Sequence, residues 1–377
     1  MARIMWACWD GGGNLTPSLG VARVLEARGH ETHFFGRPDM VHRVEAAGFG
    51  ATALTHARTD LDRYTFHPLA TVFGFTSSPA VGEELVEVAQ QWNPDVVVID
   101  AMFSTALNVA PRFERPTAVM LHTFFHHLAS MWRGNFAMQS ESRQRAGFEA
   151  LPDLATLWGE RDVFHTNALR AFDGEADTPW PVIHGAPVLT VEARAVQVDL
   201  PWNADDETPI VLLSFSTVPE QRDAAMLQRA LDALGSLPVH VVATTGGIVH
   251  PDELVAPANA HLVPFADHDA LMARASLVVG HGGHGTTMRA LLHGLPMVGI
   301  PAKGADQIPI TQLIDQWGAG RALTMDADVH QIQAAAQEVL NDPCFRAEAA
   351  QRSIALAGHD GAAMAADSIV TIVPTVR

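Results

Sequence analysis

Apolar positions along the chain switch repeatedly between the period of a strand and that of a helix. Arg3 to Cys8 reads as a strand, Thr16 and Pro17 as an N-cap with proline at the first helical position, and Leu19 to Ala27 as a helix stopped at Gly29. Thr32 to Phe35 is the next short strand, followed by helices near Met40 to Ala47 and Glu83 to Trp92. Val96 to Ile99 is apolar at every position, the pattern of a parallel strand covered on both faces, and Thr117 to Leu121 supplies another. Between Asp173 and Asp206 the periodicity fails and prolines gather at Pro179, Pro181, Pro187 and Pro201, which marks the interdomain connection. The rhythm restarts with strands at Ile210 to Ser214, Val239 to Ala243, His261 to Val263, Leu277 to Val279 and Met297 to Ile300. Two α/β halves are therefore expected: a first domain over 1–190, a linker over 191–208 and a second domain over 209–360. Residues 361–377 form a terminal helix expected to pack back on the first domain.

Composition narrows the function. The chain has 377 residues, 48% hydrophobic and 18% charged, enough for two to three cored domains at about 150 residues each. Its formal net charge is −18, so a nucleic acid or an anionic bilayer would meet repulsion at long range, and neither is an expected partner. Cys8 and Cys344 stand far apart with no CxxC pair, which gives no support to a disulfide framework or structural zinc. The opening segment reaches Gly11 before any apolar run long enough for a signal peptide, and no stretch has the length of a membrane span, so a soluble, cytoplasmic protein is expected, as monomer or homodimer.

The sharpest motif is Gly280-His-Gly-Gly-His-Gly-Thr-Thr287, which follows a strand and opens a helix ending at Gly294. Glycines such as Gly283 and Gly285 let backbone N–H groups approach a ligand, the helix N-terminus adds partial positive charge, and His281 and Thr286 can donate to phosphate oxygens without a metal. Gly280, Gly282 and Gly285 also fit a dinucleotide fingerprint, with Asp306 about 20 residues on, but about 70 residues of α/β sequence precede them in their domain. Asp306-Gln307, at the carboxyl end of the next strand, is suited to gripping vicinal sugar hydroxyls. Ser216 and Thr217 close the first strand of the second half with hydroxyls suited to a phosphate.

His281-Gly-Gly-His-Gly-Thr-Thr287, Gly294-Leu-Pro296 and Asp306-Gln307 together resemble the donor signature of family 1 nucleotide-sugar glycosyltransferases, the bacterial natural-product branch in particular. Gly13-Asn-Leu-Thr-Pro17 through Gly29-His30 is similar to that family's first loop and helix. The resemblance implies the GT-B fold, two Rossmann-like doubly wound parallel-sheet domains facing a central cleft, with acceptor in the first and nucleotide sugar in the second. It implies no cofactor and no metal, only a UDP- or dTDP-sugar as co-substrate. His281 and Thr286 would hold the diphosphate, Asp306 and Gln307 the sugar, and Phe265 would frame the base, the alternative for Phe265 being a core side chain.

Two positions depart from the family's pattern. Asn14 stands where members carry a histidine that deprotonates the acceptor, paired with an aspartate matching Asp100. Asparagine cannot be that base; Asp100 is the first candidate, with Asn14 orienting the acceptor, followed by His122 and Asp10. Arg289 stands where many members use a glutamate on the ribose, which hints at dTDP, against the alternative of a solvent-facing arginine. Aromatic residues at Tyr64, Phe66, Phe73, Phe75, Phe124, Phe125, Trp132 and Phe136 suggest a greasy acceptor pocket, with Phe75, Phe124 and Trp132 as its contacts. The expected activity is inverting hexose or deoxyhexose transfer to a small hydrophobic natural product. The alternatives are a non-catalytic auxiliary protein and a nucleotide-sugar epimerase.

Overall fold

A computed structural model describes residues 1–55, 74–134, 136–151, 153–189, 198–203, 205–302 and 307–375. Contacts divide the chain into two units, Met1–Thr190 with His359–Arg377, and Val191–Gly358. The first contains β1 (Arg3–Cys8), β2 (Glu31–Gly36), β3 (Gly50–Ala53), β4 (Val96–Asp100), β5 (Thr117–Leu121), β6 (Val163–Thr166) and β7 (Ile183–His184). They pair in the order β3-β2-β1-β4-β5-β6-β7, every pair parallel. The second contains β8 (Ile210–Ser214), β9 (His240–Thr244), β10 (Ala260–Val263), β11 (Ala275–Gly280), β12 (Met297–Gly299) and β13 (Gly320–Ala322), all parallel in the order β10-β9-β8-β11-β12-β13. In both sheets the order reverses between the first strand and the fourth, which opens a crevice at their carboxyl ends.

Continuous apolar strands are buried because helices cover both faces. Val96 to Ile99 are all fully enclosed, each contributing about 1.5–3 kcal/mol of burial. Alternate residues feed two layers: Met5, Ala7, Val97 and Ile99 join Phe75, Leu85 and Phe103 on one face, while Ile4, Trp6, Val96 and Val98 join Leu15, Val21 and Leu25 on the other. The terminal helix Gly361–Val370 enters that second layer through Ala362, Ala365, Ala366 and Ile369. Its entry needs a glycine, since a Cβ at Gly361 would begin 2.3 Å from the Ala186 carbonyl oxygen and 2.5 Å from that of Pro187.

Two local expectations are corrected. The first helix is Leu15–Ala27, with Asn14 rather than Thr16 at the N-cap, and the Asn14 side chain makes no cap bond because it is engaged elsewhere. The proline-rich stretch after Asp173 is not all connection: Ile183 and His184 within it pair with His165 and Thr166 at the edge of the first sheet.

Candidate functional site

At the crevice of the second sheet, β11 ends in Gly280, where a Cβ would begin 2.4 Å from the Ser214 carbonyl oxygen of β8. Glycine lets the two strands close at that point. The chain turns through Gly282 at φ +78 and enters helix His284–Leu292 with Gly283 at the N-cap. No side chain caps this helix and no acidic residue lies in its first turn, so its leading N–H groups keep their positive end for a ligand. His281 folds over the turn: a Cβ at Gly283 would begin 2.6 Å from its Nε2, so a side chain there would displace the ring. Gly285 is exposed, with nothing within 4 Å of a Cβ, which makes it the open mouth of the cradle. The two threonines divide, Thr286 half-buried at the surface and Thr287 fully buried.

Neighbouring loops converge on the same edge. Ser216 is buried and its hydroxyl accepts from Val218 N at 3.0 Å, whereas Thr217 is exposed. A cleft of about 540 Å3, part of it open solvent, lies among Phe215, Ser216, Gln221, Thr244, Thr245 and Ala302. Phe265 is half-buried with its ring against Gly247, where a Cβ would begin 2.9 Å from Cζ, and it stands outside the core cluster of this unit. Gln307 is almost fully buried: its Oε1 accepts from Ala302 N at 2.8 Å and its Nε2 donates to Gln221 Oε1 at 3.0 Å. These two bonds tie the β12 loop to the segment Pro219–Gln221. Asp306 lies outside the described residues. Arg289 is not solvent-facing; it pairs with Asp269, whose other oxygen is 3.0 Å from His293 Nε2.

The crevice of the first sheet is built differently. Asn14 is buried, accepting from Gly11 N at 2.8 Å and donating to Trp9 O at 2.9 Å and Asp100 Oδ2 at 3.1 Å. Asp100, at the end of β4, also accepts at Oδ1 from Trp9 Nε1 at 3.1 Å and Met102 N at 2.9 Å. Cys8 sits beside it, and burial first, then the charge of Asp100, push its thiol well up. Asp10 accepts from Gly12 N at 2.9 Å and pairs with Arg43 at 2.7 Å, which fixes the loop. His122 stands just past β5, with Cδ2 3.7 Å and Nε2 3.9 Å from where a Cβ at Gly13 would be. The structure thus sets Asp100, at the end of β4, against the loop that carries Asp10 and Asn14, with His122 over Gly13.

The aromatic expectation is corrected in part. Phe75 is packed against Phe103 at 5.1 Å between ring centroids, and both Phe75 and Phe124 are closed to solvent, so packing rather than an open pocket accounts for them. The side chains of Trp132 and Phe136, and the whole of Tyr64, Phe66 and Phe73, lie outside the described residues. Behind the segment after β5, Asp173 accepts from Phe125 N at 2.7 Å and His126 N at 3.2 Å, and burial raises its pKa. Among the described residues no cluster of three or more candidate metal ligands occurs. Sequence reading missed Trp9, Gln221 and Asp269, whose roles depend on contacts between distant segments; only Trp9, adjacent to the glycine run, carried a local signal.

No described helix is long and apolar enough to cross a membrane. The family described as erythromycin biosynthesis protein CIII-like, C-terminal domain, matches residues 228–366. A PGL/p-HBAD biosynthesis glycosyltransferase of Mycobacterium tuberculosis is 34% identical over 155 residues, 41% of this chain, and the match spans only 35% of that relative's length. The 4'-demethylrebeccamycin synthase of Lentzea aerocolonigenes is 31% identical over 99% of this chain and 100% of its own. Among solved structures, the calicheamicin glycosyltransferase superposes with a TM-score of 0.79 at 21% identity, over 99% of this chain and 98% of that one, a likeness of fold. With a full-length relative above 30% identity and the same two-sheet architecture, the chain belongs to the bacterial natural-product branch of the family 1 glycosyltransferases, proteins of the GT-B fold.

Proposed function

We propose that the protein is an inverting, metal-independent glycosyltransferase that moves a hexose or deoxyhexose from a UDP- or dTDP-sugar to a small hydrophobic natural-product acceptor. The observation that carries this reading is the uncapped, glycine-lined N-terminus of helix His284–Leu292 with His281 folded over it. A diphosphate seated there gains negative charge as the anomeric C–O bond breaks, and fixed N–H dipoles stabilise that growing charge without reorganising. His281 and Thr286 donate to its oxygens, the task a divalent cation would otherwise perform. The acceptor oxygen attacks from the opposite face of the sugar, which inverts the anomeric centre. The first unit would hold the acceptor and the second the nucleotide. With Arg289 in place of a carboxylate, nothing at that position accepts from a ribose 2′-hydroxyl, so dTDP, which lacks it, is expected to bind at least as tightly as UDP.

Isothermal titration of UDP and dTDP, repeated with EDTA, tests the cradle; a panel of phenolic acceptors with UDP- and dTDP-sugars, read by mass spectrometry and anomeric coupling constants, tests the reaction. Failure to take up either nucleotide, or uptake abolished by EDTA, would overturn the reading. Asn14 favours one second reading, an auxiliary protein that binds nucleotide without transfer, and binding with no acceptor ever glycosylated would support it. The epimerase alternative is weakened by strand order: its fingerprint belongs after the first strand of the sheet, whereas Gly280 to Gly285 follow the fourth.

A further inference from the structure

The first crevice holds three groups that could receive a proton, and two are occupied. Asp100 takes three donors, and Asp10 is committed to Arg43 and Gly12 N. Asn14 has no basic atom, and its carboxamide is used at both ends. His122 is different. Neither of its ring nitrogens has a hydrogen-bond partner among the described residues; Nδ1 is sealed from solvent, and the Nε2 edge faces the Gly13 backbone, where the missing side chain leaves the approach open. The pairing of β5 with β6 runs from Leu121 and Thr166 one step further, where Asn167 N donates to Leu121 O at 2.8 Å. This register sets Asn167 beside His122. Asn167 is fully buried, and neither atom of its carboxamide has a partner among the described residues. Buried polar atoms left unpaired cost about 1–3 kcal/mol each, so unpaired atoms on two register-matched residues next to the acceptor loop call for a functional account.

We propose that His122 is the general base of the transfer, with Asn167 as its positioning residue. The inference rests on the reading given under Proposed function. The acceptor O–H oxygen attacks the anomeric carbon, the bond from that carbon to the diphosphate oxygen breaks with its electron pair leaving on the diphosphate, and the acceptor proton passes to Nε2 of His122. The bond from Nδ1–H to Asn167 Oδ1 is not formed in this structure; once made on acceptor binding, it would hold the tautomer whose lone pair is on Nε2. The base has in effect moved from the first loop to the end of the fifth strand, while Asn14 and Asp100 keep the loop rigid.

The test compares a simple phenol, neutral at the assay pH, with para-nitrophenol, ionised in mildly alkaline buffer. His122→Gln is expected to lower kcat on phenol by about 10²–10⁴-fold with the donor KM unchanged, and on para-nitrophenol by less than about 10-fold, because an ionised acceptor needs no base. Asn14→His in the His122→Gln background is expected to restore turnover on phenol, since residue 14 lies beside Asp100. Asn167→Ala should show a smaller loss confined to the neutral acceptor; equal losses on both acceptors would make Asn167 a packing residue and remove it from the proposal. Nucleotide titration of each variant checks that it is folded. An active wild type whose His122→Gln variant loses nothing on phenol, or loses equally on both acceptors, overturns the inference and leaves the transferase reading intact; a wild type inactive on every acceptor fails the transferase reading itself.

Discussion

Gly285→Ala separates what the cradle does for folding from what it does for binding. Gly285 is the second residue of helix His284–Leu292, has no positive φ, and nothing lies within 4 Å of a Cβ built on it. Alanine there removes backbone freedom from the unfolded chain and stabilises the helix by about 0.5–1 kcal/mol. In a unit of this size that raises Tm by about 1–4 °C. The new methyl, however, is tilted toward the helix N-terminus and stands where the phosphate oxygens must approach. Losing one charge-assisted N–H bond costs about 1.5–3 kcal/mol, a rise of about 10- to 150-fold in the Kd for UDP or dTDP. Thermal unfolding and calorimetric titration of the same preparation give the two numbers. A variant that melts higher and binds nucleotide as tightly as the parent would refute the cradle. Gly283→Ala is the companion: its methyl would begin 2.6 Å from His281 Nε2, so the ring must swing aside, and nucleotide affinity is expected to fall with little change in Tm.

Other consequences concern the first unit. His165 is buried with its pKa lowered by burial from 6.5 to about 4, so the unfolded chain binds the proton more readily. That ring contributes about 3 kcal/mol of stability above the unfolded value, lost as pH falls toward 4; urea unfolding at several pH values should show the decline, and His165→Gln should flatten it. Gly361→Val would press a side chain into the carbonyl oxygens of Ala186 and Pro187, and limited proteolysis should then release the terminal segment at a rate the parent does not show. Asp100→Asn turns an NH2 group toward one of the three donors that now meet the carboxylate, and should lower unfolding free energy by about 1–3 kcal/mol in denaturant titration.

The legible parts of the fold were those whose burial shows in the residue pattern. Val96 to Asp100, Thr117 to Leu121 and Ile210 to Ser214 are central strands, enclosed on both faces, and their unbroken apolar runs say so. Gly50–Ala53, Ile183–His184 and Gly320–Ala322 lie at sheet edges, where few neighbours demand apolar side chains, and nothing in their sequences marks a strand. The site divided in the same way. The helix start at His284 follows from local spacing, while the engagement of Gln307 by Gln221 and of Arg289 by Asp269 depends on segments 86 and 20 residues away. Thr16 misled as an N-cap because Asn14, two residues earlier, takes that place while sending its side chain to Asp100.

The same strand order occurs twice, and the electrostatics of the two crevices explain why the anion site is assigned to only one. Each has a glycine-bearing turn leading from a strand into a helix: Gly11 to Gly13 ahead of Leu15–Ala27, and Gly280 to Gly283 ahead of His284–Leu292. In the first, Gly11 N is taken by Asn14 Oδ1, Gly12 N by Asp10, and the carboxylate of Asp100 stands against the loop. A phosphate arriving there would meet the carboxylate of Asp100 and find the turn amides of Gly11 and Gly12 already bound. In the second, no side chain caps the helix, no acidic residue lies in its first turn, and the His281 ring lies over Gly283. Topology alone would permit a nucleotide in either crevice. The placement of Asp10, Asn14 and Asp100 disfavours an anion in the first, and it follows that exchanging Asp10 for asparagine should loosen the loop held by Arg43 without creating nucleotide affinity, because Asn14 still occupies Gly11 N and Asp100 keeps its charge.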